Sequence, residues 1–416
     1  MTLYEELQWR GFVNQTTYAD PKAIDDHSLT FYFGVDPSAD SMTIGNLAAA
    51  MMVRHFMAHG HKAILLVGGA TGLIGDPDGK KQERELLTPE QIDHNKAALA
   101  GQYKQFFDGQ DFEIVDNYDW FNGLGYLEFL RDIGKHVPMR QMLGREFVQS
   151  RLQEDGAGIS YAEFSYSLIQ AYDFLHLHRE KGVTLQLAGA DQWGNSIAGV
   201  DLIRRLTGNE THVWTIPLVI NKVTGAKFGK SESGAIWLDP AQTSPTSFYQ
   251  FWMNIDDEGV EDYLKIYTLL DKAQITDVMA DQSAHPHERP AQTKLAQEVT
   301  KLVHGDDMLA IAESVTQALT GKRVVGGLPE AALITMRSEI PSAIAAADGD
   351  IVTILVETGL AASNTEARRL LQENAVAING QKMQRERLEA NDFQNGRLLV
   401  RRGKAYKDSA LVELAK

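Results

Sequence analysis

The chain has 416 residues, contains no cysteine and carries a formal net charge of −16 at pH 7. Its length is enough for two to four domains, each able to bury a core of its own. The lack of cysteine excludes disulfide bonds and thiolate metal sites. The chain opens on no charged-then-apolar leader, and no apolar run approaches about 18 residues. We therefore expect a cytoplasmic protein that is neither secreted nor membrane-spanning.

The charge is distributed unevenly along the chain. Residues 351–416 contain 11 Lys and Arg against 8 Asp and Glu, whereas residues 1–350 contain 29 against 48. A basic tail on an acidic body indicates that nucleic acid is contacted at the basic end.

The first predicted elements form a βαβ unit. The apolar runs 29–33 and 63–67 read as buried strands, and a helix beginning near Thr43, with Asp40 or Ser41 as its cap, lies between them. Glycine-containing turns, 34–38 and 68–77, follow the two strands. This pattern places a ligand at the carboxyl ends of the strands, with an anion at the helix N-terminus. The alternative is an α/β domain whose glycines serve packing alone. The chain has no G-x-G-x-x-G segment here, so a dinucleotide redox cofactor is not supported.

A polar stripe marks the next helix, which is otherwise apolar. Tyr166, Gln170 and Asp173 are spaced i, i+4, i+7 and therefore share one helical face. Polar groups on a buried helix must be satisfied by protein, water or a ligand. A hydroxyl, an amide and a carboxylate in line suit an amino acid, and the alternative is a structural hydrogen-bond network.

Two lysines flank a glycine in Lys227-Phe228-Gly229-Lys230-Ser231. Both ammonium groups can converge on a polyphosphate that the glycine backbone approaches closely. A P-loop would need a glycine at position 224, where the chain has Thr224. A solvated basic loop is the other alternative.

The chain after residue 240 is predicted to be helical to about residue 320, followed by a linker and a small basic module. In this module, Ser363 to Glu366 has the pattern of a capping box that opens a helix, and residues 376–383 read as a hairpin with an Asn-Gly turn.

Together these segments resemble bacterial tyrosyl-tRNA synthetases, which are class I aminoacyl-tRNA synthetases. The resemblance runs from about residue 4 to the C-terminus and is carried by residues 32–41, 66–77, 117–120, 166–173, 189–195 and 227–231. It implies a ligase that forms tyrosyl-adenylate from tyrosine and ATP and then transfers tyrosine to the 3′ end of tRNA(Tyr). It also implies a homodimer, no membrane partner, and Mg²⁺ that arrives with ATP rather than in a protein site.

The resemblance assigns roles to individual residues. It places the substrate tyrosine against Tyr32, Asp76, Tyr166, Gln170, Asp173 and Gln192. It places ATP against Gly34, Asp36, Ser38, Gly45, Gly189, Asp191, Lys227 and Lys230, with Lys80 and Arg84 also attending the phosphates.

One segment departs from the family pattern. The class I signature H-I-G-H is replaced by Thr43-Ile44-Gly45-Asn46, so Thr43 and Asn46 stand where the family has imidazoles that act on ATP. Neither residue can carry positive charge. Three interpretations follow: an active enzyme with a variant signature, a slower enzyme, or a relative that has lost activation. The intact lysine segment and polar stripe argue against the third.

The resemblance also predicts the fold and its boundaries. It implies a Rossmann-like α/β catalytic domain over 1–225 with a dimer-interface insertion at about 120–150, and an α-helical domain over 226–325 that begins with the lysine segment. A linker over 326–349 and an S4-like α+β domain over 350–416 would complete the chain. The apolar residues of the insertion, from Leu127 to Met142, suit either a dimer patch or the chain's own core.

The tail residues expected to contact RNA phosphates are Arg368, Arg369, Lys382, Arg385, Arg401, Arg402 and Lys404, and a solvated charged face is the alternative. Two other function classes remain: a P-loop kinase or GTPase, and a non-catalytic RNA-binding protein built on this scaffold. Tryptophanyl-tRNA synthetase, the nearest relative family, has no use for a carboxylate at a side-chain hydroxyl.

Overall fold

A computed structural model of the protein describes residues 1–77, 86–153, 158–231, 234–403 and 408–415. The chain folds into two units, one formed by Met1–Thr243 with Ile255–Leu295 and the other by Ser244–Asn254 with Ala296–Lys416. Within the described ranges, no helix combines the length and apolar character that a membrane span requires.

The helices of the described chain follow in sequence order. They are α1 Leu3–Arg10, α2 Ile44–Ala58, α3 Gly69–Ile74, α4 Pro89–Phe106, α5 Tyr118–Phe121, α6 Tyr126–Asp132, α7 Met139–Leu143, α8 Glu146–Arg151, α9 Tyr161–Lys181, α10 Trp193–Thr207, α11 Pro245–Met253, α12 Val260–Tyr267, α13 Lys272–Ala284, α14 Pro290–Leu319, α15 Glu330–Glu339, α16 Ile351–Glu357 and α17 Asn364–Gln372. Helix α14 is interrupted at Gly305, where φ is 84° and ψ is 171°.

The strands of the described chain form three sheets. They are β1 Gln15–Thr16, β2 Thr30–Val35, β3 Lys62–Val67, β4 Phe112–Asp116, β5 Leu185–Gly189, β6 His212–Ile216, β7 Lys230–Ser231, β8 Gly234–Ala235, β9 Ser342–Ala345, β10 Val376–Ile378, β11 Gln381–Met383, β12 Arg397–Arg402 and β13 Ser409–Leu414.

The sheet of the first unit has the order β1-β6-β5-β2-β3-β4, and its strands are parallel except for β1. Strand β3 is buried from Ala63 to Val67, as expected for a strand covered on both faces. The register places Tyr32 of β2 between Ile64 of β3 and Gln186 of β5. The predicted α/β class with a parallel-sheet core is confirmed.

Helix α2 begins later than the sequence predicts. Its N-cap residue is Thr43, so the prediction of Asp40 or Ser41 is wrong. Ser41 is buried, and its hydroxyl donates to the carbonyl of Met42 and accepts from the amide of Asp239 instead. The N-terminus of α2 therefore lies next to residues 236–238, because Ile44 N–H also donates to the carbonyl of Ile236.

The predicted insertion at about 120–150 consists of the short helices α5 to α8. Its apolar residues divide between two environments. Ile133 and Met142 are buried, whereas Leu127 is 78% exposed and Met139 is 56% exposed. The segment thus contributes to the core of its own unit and also presents apolar surface.

The second unit contains a sheet in the order β11-β10-β12-β13-β9. The predicted linker over 326–349 is wrong, because α15 lies within it and β9 pairs in parallel with β13. Residues of α15 share a buried cluster with Leu399 and Leu411, so the apolar face of this segment is covered by the C-terminal sheet. The boundary predicted at residue 225 also differs from the observed division, because α12 and α13 belong to the first unit.

The predicted hairpin of the tail is confirmed. Strands β10 and β11 pair antiparallel, and the turn residues Asn379 and Gly380 have φ of 48° and 84°. Positive φ at both central positions is the geometry of a type I′ turn. Half of the predicted capping box is present: Ser363 accepts the amide of Glu366, but the carboxylate of Glu366 accepts the amide of Ala362.

Candidate active site

A cavity of about 290 Å³ lies at the carboxyl ends of β2 and β5, beside the N-terminus of α2. Fifteen of the residues predicted for tyrosine or ATP line it together: Tyr32, Gly34, Asp36, Ser38, Thr43, Gly45, Asn46, Asp76, Tyr166, Gln170, Asp173, Gly189, Asp191, Gln192 and Lys227. Lys80, Arg84 and the side chain of Lys230 lie outside the described residues. Segments far apart in sequence thus meet in one cavity, at the edge of the sheet where parallel α/β folds bind ligands.

The carboxyl group of Asp173 lies at the buried end of the cavity, where the residue is 2% exposed. Trp120 Nε1 donates to its Oδ1 over 2.9 Å, and Asn117 Nδ2 donates to its Oδ2 over 3.1 Å. Burial raises the pKa of Asp173 to about 8, although these two hydrogen bonds lower it. The side chain is therefore held in one orientation, and each oxygen keeps further acceptor capacity.

Three polar atoms of residues that line the cavity are buried without a hydrogen-bond partner among the described residues. They are the hydroxyl of Tyr32, Oε1 of Gln170 and Oε1 of Gln186. Burial, followed by the charge of Asp173, raises the pKa of Tyr32 well above its usual range, so this hydroxyl keeps its proton. A buried donor and two buried acceptors without partners indicate a polar ligand, because each costs free energy while unpaired.

A hydrogen-bond network of carboxylates borders the middle of the cavity. The hydroxyl of Tyr166 donates to Asp36 Oδ2 and that of Thr71 donates to Asp36 Oδ1, each over 2.6 Å. Gln192 Nε2 donates to Asp76 Oδ2. The carboxylates of Asp36 and Asp76 make the middle of the cavity acidic, which favours a cationic group of a ligand.

The opposite side of the cavity is formed by the first turn of α2 and by residues 189–191. A Cβ at position 189 would lie 2.6 Å from Asp191 Oδ1, so a side chain there would displace the carboxylate of Asp191. Lys227 Nζ lies 3.9 Å from Asp191 Oδ2, and both side chains are well exposed. The cavity therefore has a cation near Asp191 and the carboxylates of Asp36 and Asp76 farther inside.

The lysine segment lies directly against the start of α2. Gly229 has a φ of +101°, and a Cβ at this position would be 2.9 Å from Ile44 Cγ1. The segment continues into strand β7, whereas a P-loop would continue into a helix, so the P-loop alternative is excluded.

Comparison with known proteins agrees with this arrangement. The family model described as tRNA synthetases class I (W and Y) matches residues 25–320, and that of the tyrosine–tRNA ligase SYY-like C-terminal domain matches residues 333–407. A tyrosine–tRNA ligase of Bacillus caldotenax is 45% identical over 97% of this chain and 98% of its own length. The chain belongs to the tyrosyl-tRNA synthetase family of class I.

Further relatives agree with this membership. A tyrosine–tRNA ligase of Latilactobacillus sakei subsp. sakei is 42% identical over 97% of this chain and 97% of its own length. The crystal structure of a C-terminally truncated Aspergillus nidulans mitochondrial tyrosyl-tRNA synthetase superposes with a TM-score of 0.69 at 30% identity, over 76% of this chain and 94% of the other. The enzyme is a tyrosine–tRNA ligase, and its reaction is the ATP-dependent aminoacylation of tRNA.

The variant signature of this synthetase forms a local hydrogen-bonded turn. The amide and the hydroxyl of Thr43 both donate to Asn46 Oδ1, each over 2.9 Å. The two side chains that replace the family's imidazoles thus bond to each other and hold the first turn of α2, and both still line the cavity.

Four residues that line the cavity or bond to its lining have no role predicted from the sequence. Asn117 and Trp120 orient Asp173, Thr71 bonds Asp36, and Gln186 lines the cavity. The segment 117–120 carries the family resemblance without an assigned role. A glutamine within the apolar strand Leu185–Gly189 is the available signal for Gln186.

The predicted RNA-contact residues of the tail fall into two groups. Arg368, Arg369 and Lys382 are exposed. Arg385, Arg401 and Arg402 each donate to an acceptor within their own unit, namely Asp392 Oδ1, the carbonyl of Leu319 and the carbonyl of Leu360. Lys404 lies outside the described residues. Arg368 Nε also donates to Glu386 Oε2 over 3.4 Å, but this contact is at the surface, where both side chains are 51% exposed. The first group, being exposed, is therefore better suited to phosphate contact than the second.

Proposed function

We propose that the cavity is the site of tyrosyl-adenylate formation, with the phenol of tyrosine at its buried end. The observation that supports this most strongly is that the Tyr32 hydroxyl, which has no hydrogen-bond partner, and the buried carboxyl of Asp173 both line the cavity. A phenol hydroxyl can accept from Tyr32 and donate to Asp173, so it satisfies both groups at once. Phenylalanine would leave the Tyr32 hydroxyl without a partner and would make no hydrogen bond to Asp173, so it would bind less favourably.

The ammonium group of tyrosine is assigned to the acidic middle of the cavity. Asp76, Tyr166 and Gln170 would surround it, and the partnerless Oε1 of Gln170 supplies an acceptor for one of its hydrogens. Asp36 supports this group indirectly, since it fixes the hydroxyl of Tyr166.

The nucleotide is assigned to the side of the cavity formed by α2 and residues 189–191. Asp191 would bind the ribose, and the path between Gly34, Gly45 and Gly189 would accommodate the base and sugar. Lys227 and Lys230, with Lys80 and Arg84, would attend the phosphates, aided by the positive end of α2. Mg²⁺ would enter bound to ATP, because hard cations of this size usually keep several waters and substrate phosphates as ligands.

The reaction then needs positioning and charge rather than an enzyme nucleophile. The carboxylate of tyrosine, near Gln192, attacks the α-phosphorus of ATP and displaces pyrophosphate. The terminal ribose hydroxyl of tRNA next attacks the carbonyl of the adenylate and displaces AMP. The basic tail, through Arg368, Arg369 and Lys382, would hold tRNA during the second step.

A homodimer is proposed from the apolar surface of the insertion. Tyr126, Leu127 and Met139 are 61%, 78% and 56% exposed, and they lie within one short stretch of α6 and α7. A second copy would bury such a surface. Leu127→Asp should shift the mass measured by analytical ultracentrifugation to that of a monomer, whereas Leu86→Asp, at an exposed leucine outside the insertion, should leave it unchanged. A dimer that survives Leu127→Asp would contradict the assignment.

A cytoplasmic location of the enzyme is proposed because ATP and tRNA are its substrates.

The site assignment is tested by pyrophosphate exchange with each of the twenty amino acids. The wild-type enzyme should respond to tyrosine alone, and Asp173→Ala should lose this response. Glu163→Gln is the matched control, since Glu163 is also a buried carboxyl of α9 but pairs with Arg151 outside the cavity. Tyrosine-dependent exchange that is unchanged in Asp173→Ala would refute the proposed phenol site.

A further inference from the structure

The phenylalanine between the two lysines of the loop packs onto helix α12. Phe228 is 5% exposed, and its ring stacks on that of Tyr263 with centroids 4.3 Å apart and planes inclined by 22°. Tyr263 is itself buried. The ring of Phe228 therefore lies in a packed contact, and Phe228 and the neighbouring Lys227 both also line the cavity.

Tyr263 holds the segment by a second contact. Its hydroxyl donates to the carbonyl of Ile220 over 3.1 Å, and Ile220 pairs with Lys227 across an antiparallel bridge. The amide of Phe228 donates to the carbonyl of Val219, so these residues form one hairpin-like turn. One side chain thus contacts both arms of the turn that carries Lys227.

Helix α12 is anchored so that it can act as a rigid support. The guanidinium of Arg10, which is 3% exposed, donates to the carbonyls of Lys265, Thr268 and Leu270 at the C-terminal end of α12 over 2.8, 3.0 and 2.9 Å. A cation at this position satisfies carbonyls that have no partner within the helix.

Arg10 also links α12 to α2, the helix whose first turn contacts the lysine segment. Glu6 accepts from Arg10 Nε over 2.9 Å, and its Oε1 lies 3.2 Å from Nδ1 of His55 in α2. The first turn of α2 contacts Gly229, so both supports of the lysine segment belong to one connected framework.

We propose that Tyr263 is a positioning residue for adenylate formation, which acts by holding Phe228 and Ile220 so that Lys227 is aligned with the phosphates of ATP. The inference rests on the proposed role of Lys227. Tyr263 does not line the cavity, so its effect must pass through the loop. Small displacements of a charged group cost rate because the charge must match the transition state closely.

The first test is the rate of tyrosine-dependent pyrophosphate exchange in Tyr263→Leu. Loss of an aromatic pair should lower kcat by between about twofold and about tenfold, while the dissociation constant for tyrosine stays unchanged. Tyr263→Phe keeps the ring and should lose less, and Phe228→Leu should reproduce the loss from the other ring. A weakened tyrosine affinity with unchanged kcat would overturn the proposal.

The second test is a double-mutant cycle with Lys227→Ala. If Tyr263 acts through Lys227, Tyr263→Leu should cost less than about twofold in the Lys227→Ala background. Tyr103→Leu, at a fully buried tyrosine of the same unit, is the control and should have the same effect in both backgrounds.

The outcomes of the cycle distinguish the two proposals. Equal losses from Tyr263→Leu with and without Lys227 overturn the positioning role alone. A Lys227→Ala enzyme that exchanges as fast as the wild type overturns the proposed role of Lys227, and the positioning role with it.

Discussion

Replacing Asp173 by asparagine removes a buried ionisable group while nearly preserving its shape. Burial raises the pKa of Asp173 from 3.8 to about 8, so its carboxyl group is protonated more readily in the folded than in the unfolded chain. The contribution of this group to stability is fully present below the unfolded pKa and is lost as pH rises through the folded pKa. The wild type should therefore lose about 5 kcal/mol relative to the asparagine variant between pH 4 and pH 8.

A second effect of the substitution does not depend on pH. Trp120 and Asn117 each donate to one oxygen of Asp173, but asparagine has only one acceptor oxygen. The side-chain amide of Asn117 cannot flip, because its Oδ1 already accepts the amide of Ala70 and its Nδ2 also donates to Thr71. One donor is left facing the new amide, at a cost of about 1–3 kcal/mol.

The two effects together predict a crossover. Asp173→Asn should be about as stable as the wild type near pH 5 to 6 and more stable by a few kcal/mol at pH 8, although it has lost tyrosine activation. The measurement is urea unfolding of both ligand-free proteins, followed by tryptophan fluorescence at each pH from 5 to 9. A stability difference that does not change with pH would show that Asp173 stays ionised throughout, which would refute the reasoning.

Two further predictions concern the loop and the tail. Lys227→Ala should slow tyrosine-dependent pyrophosphate exchange by on the order of 10- to 100-fold and leave tyrosine affinity intact, because the lysine charge acts as pyrophosphate develops. Stopped-flow kinetics measures the rate and equilibrium binding measures the affinity. Weaker tyrosine binding at an unchanged rate would contradict this prediction. Reversing the charge at both Arg368 and Arg369 should weaken tRNA binding and reduce its salt dependence without changing pyrophosphate exchange. Lys22→Glu, on the acidic body, is the control and should leave tRNA binding and its salt dependence unchanged. The measurement is filter binding across a salt series, and a salt dependence equal to that of the wild type would contradict a phosphate contact.

Removal of residues 350–416 is unsuitable as a test of the tail. Strand β9 pairs with β13, and Leu333 and Met336 of α15 share a buried cluster with Leu411. Truncation would expose this apolar surface and leave β9 without its neighbour. Charge reversal at exposed residues examines RNA contact without disturbing the core.

Local pattern determined much of the catalytic unit from the sequence alone. The apolar runs of β2 and β3 and the glycines at their ends placed a ligand at the carboxyl edge of a parallel sheet, and the i, i+4, i+7 stripe of α9 placed three polar residues on one face of a buried helix; both are short-range features. The family resemblance supplied the roles. The tail hairpin was equally predictable, since Asn379 and Gly380 prefer the turn they form.

Long-range packing decided the remaining features. Asp173 is clamped by Trp120, 53 residues away, and Ser342 of β9 pairs with Leu411 in the last strand, so nothing near either segment in sequence indicates the contact. The small residues of β9 are typical of a linker in sequence. The segment is a strand only because β13 pairs with it. The contact of Phe228 with Tyr263 is of the same kind: the sequence determined which residues carry charge, and only the tertiary structure determined what holds them in place.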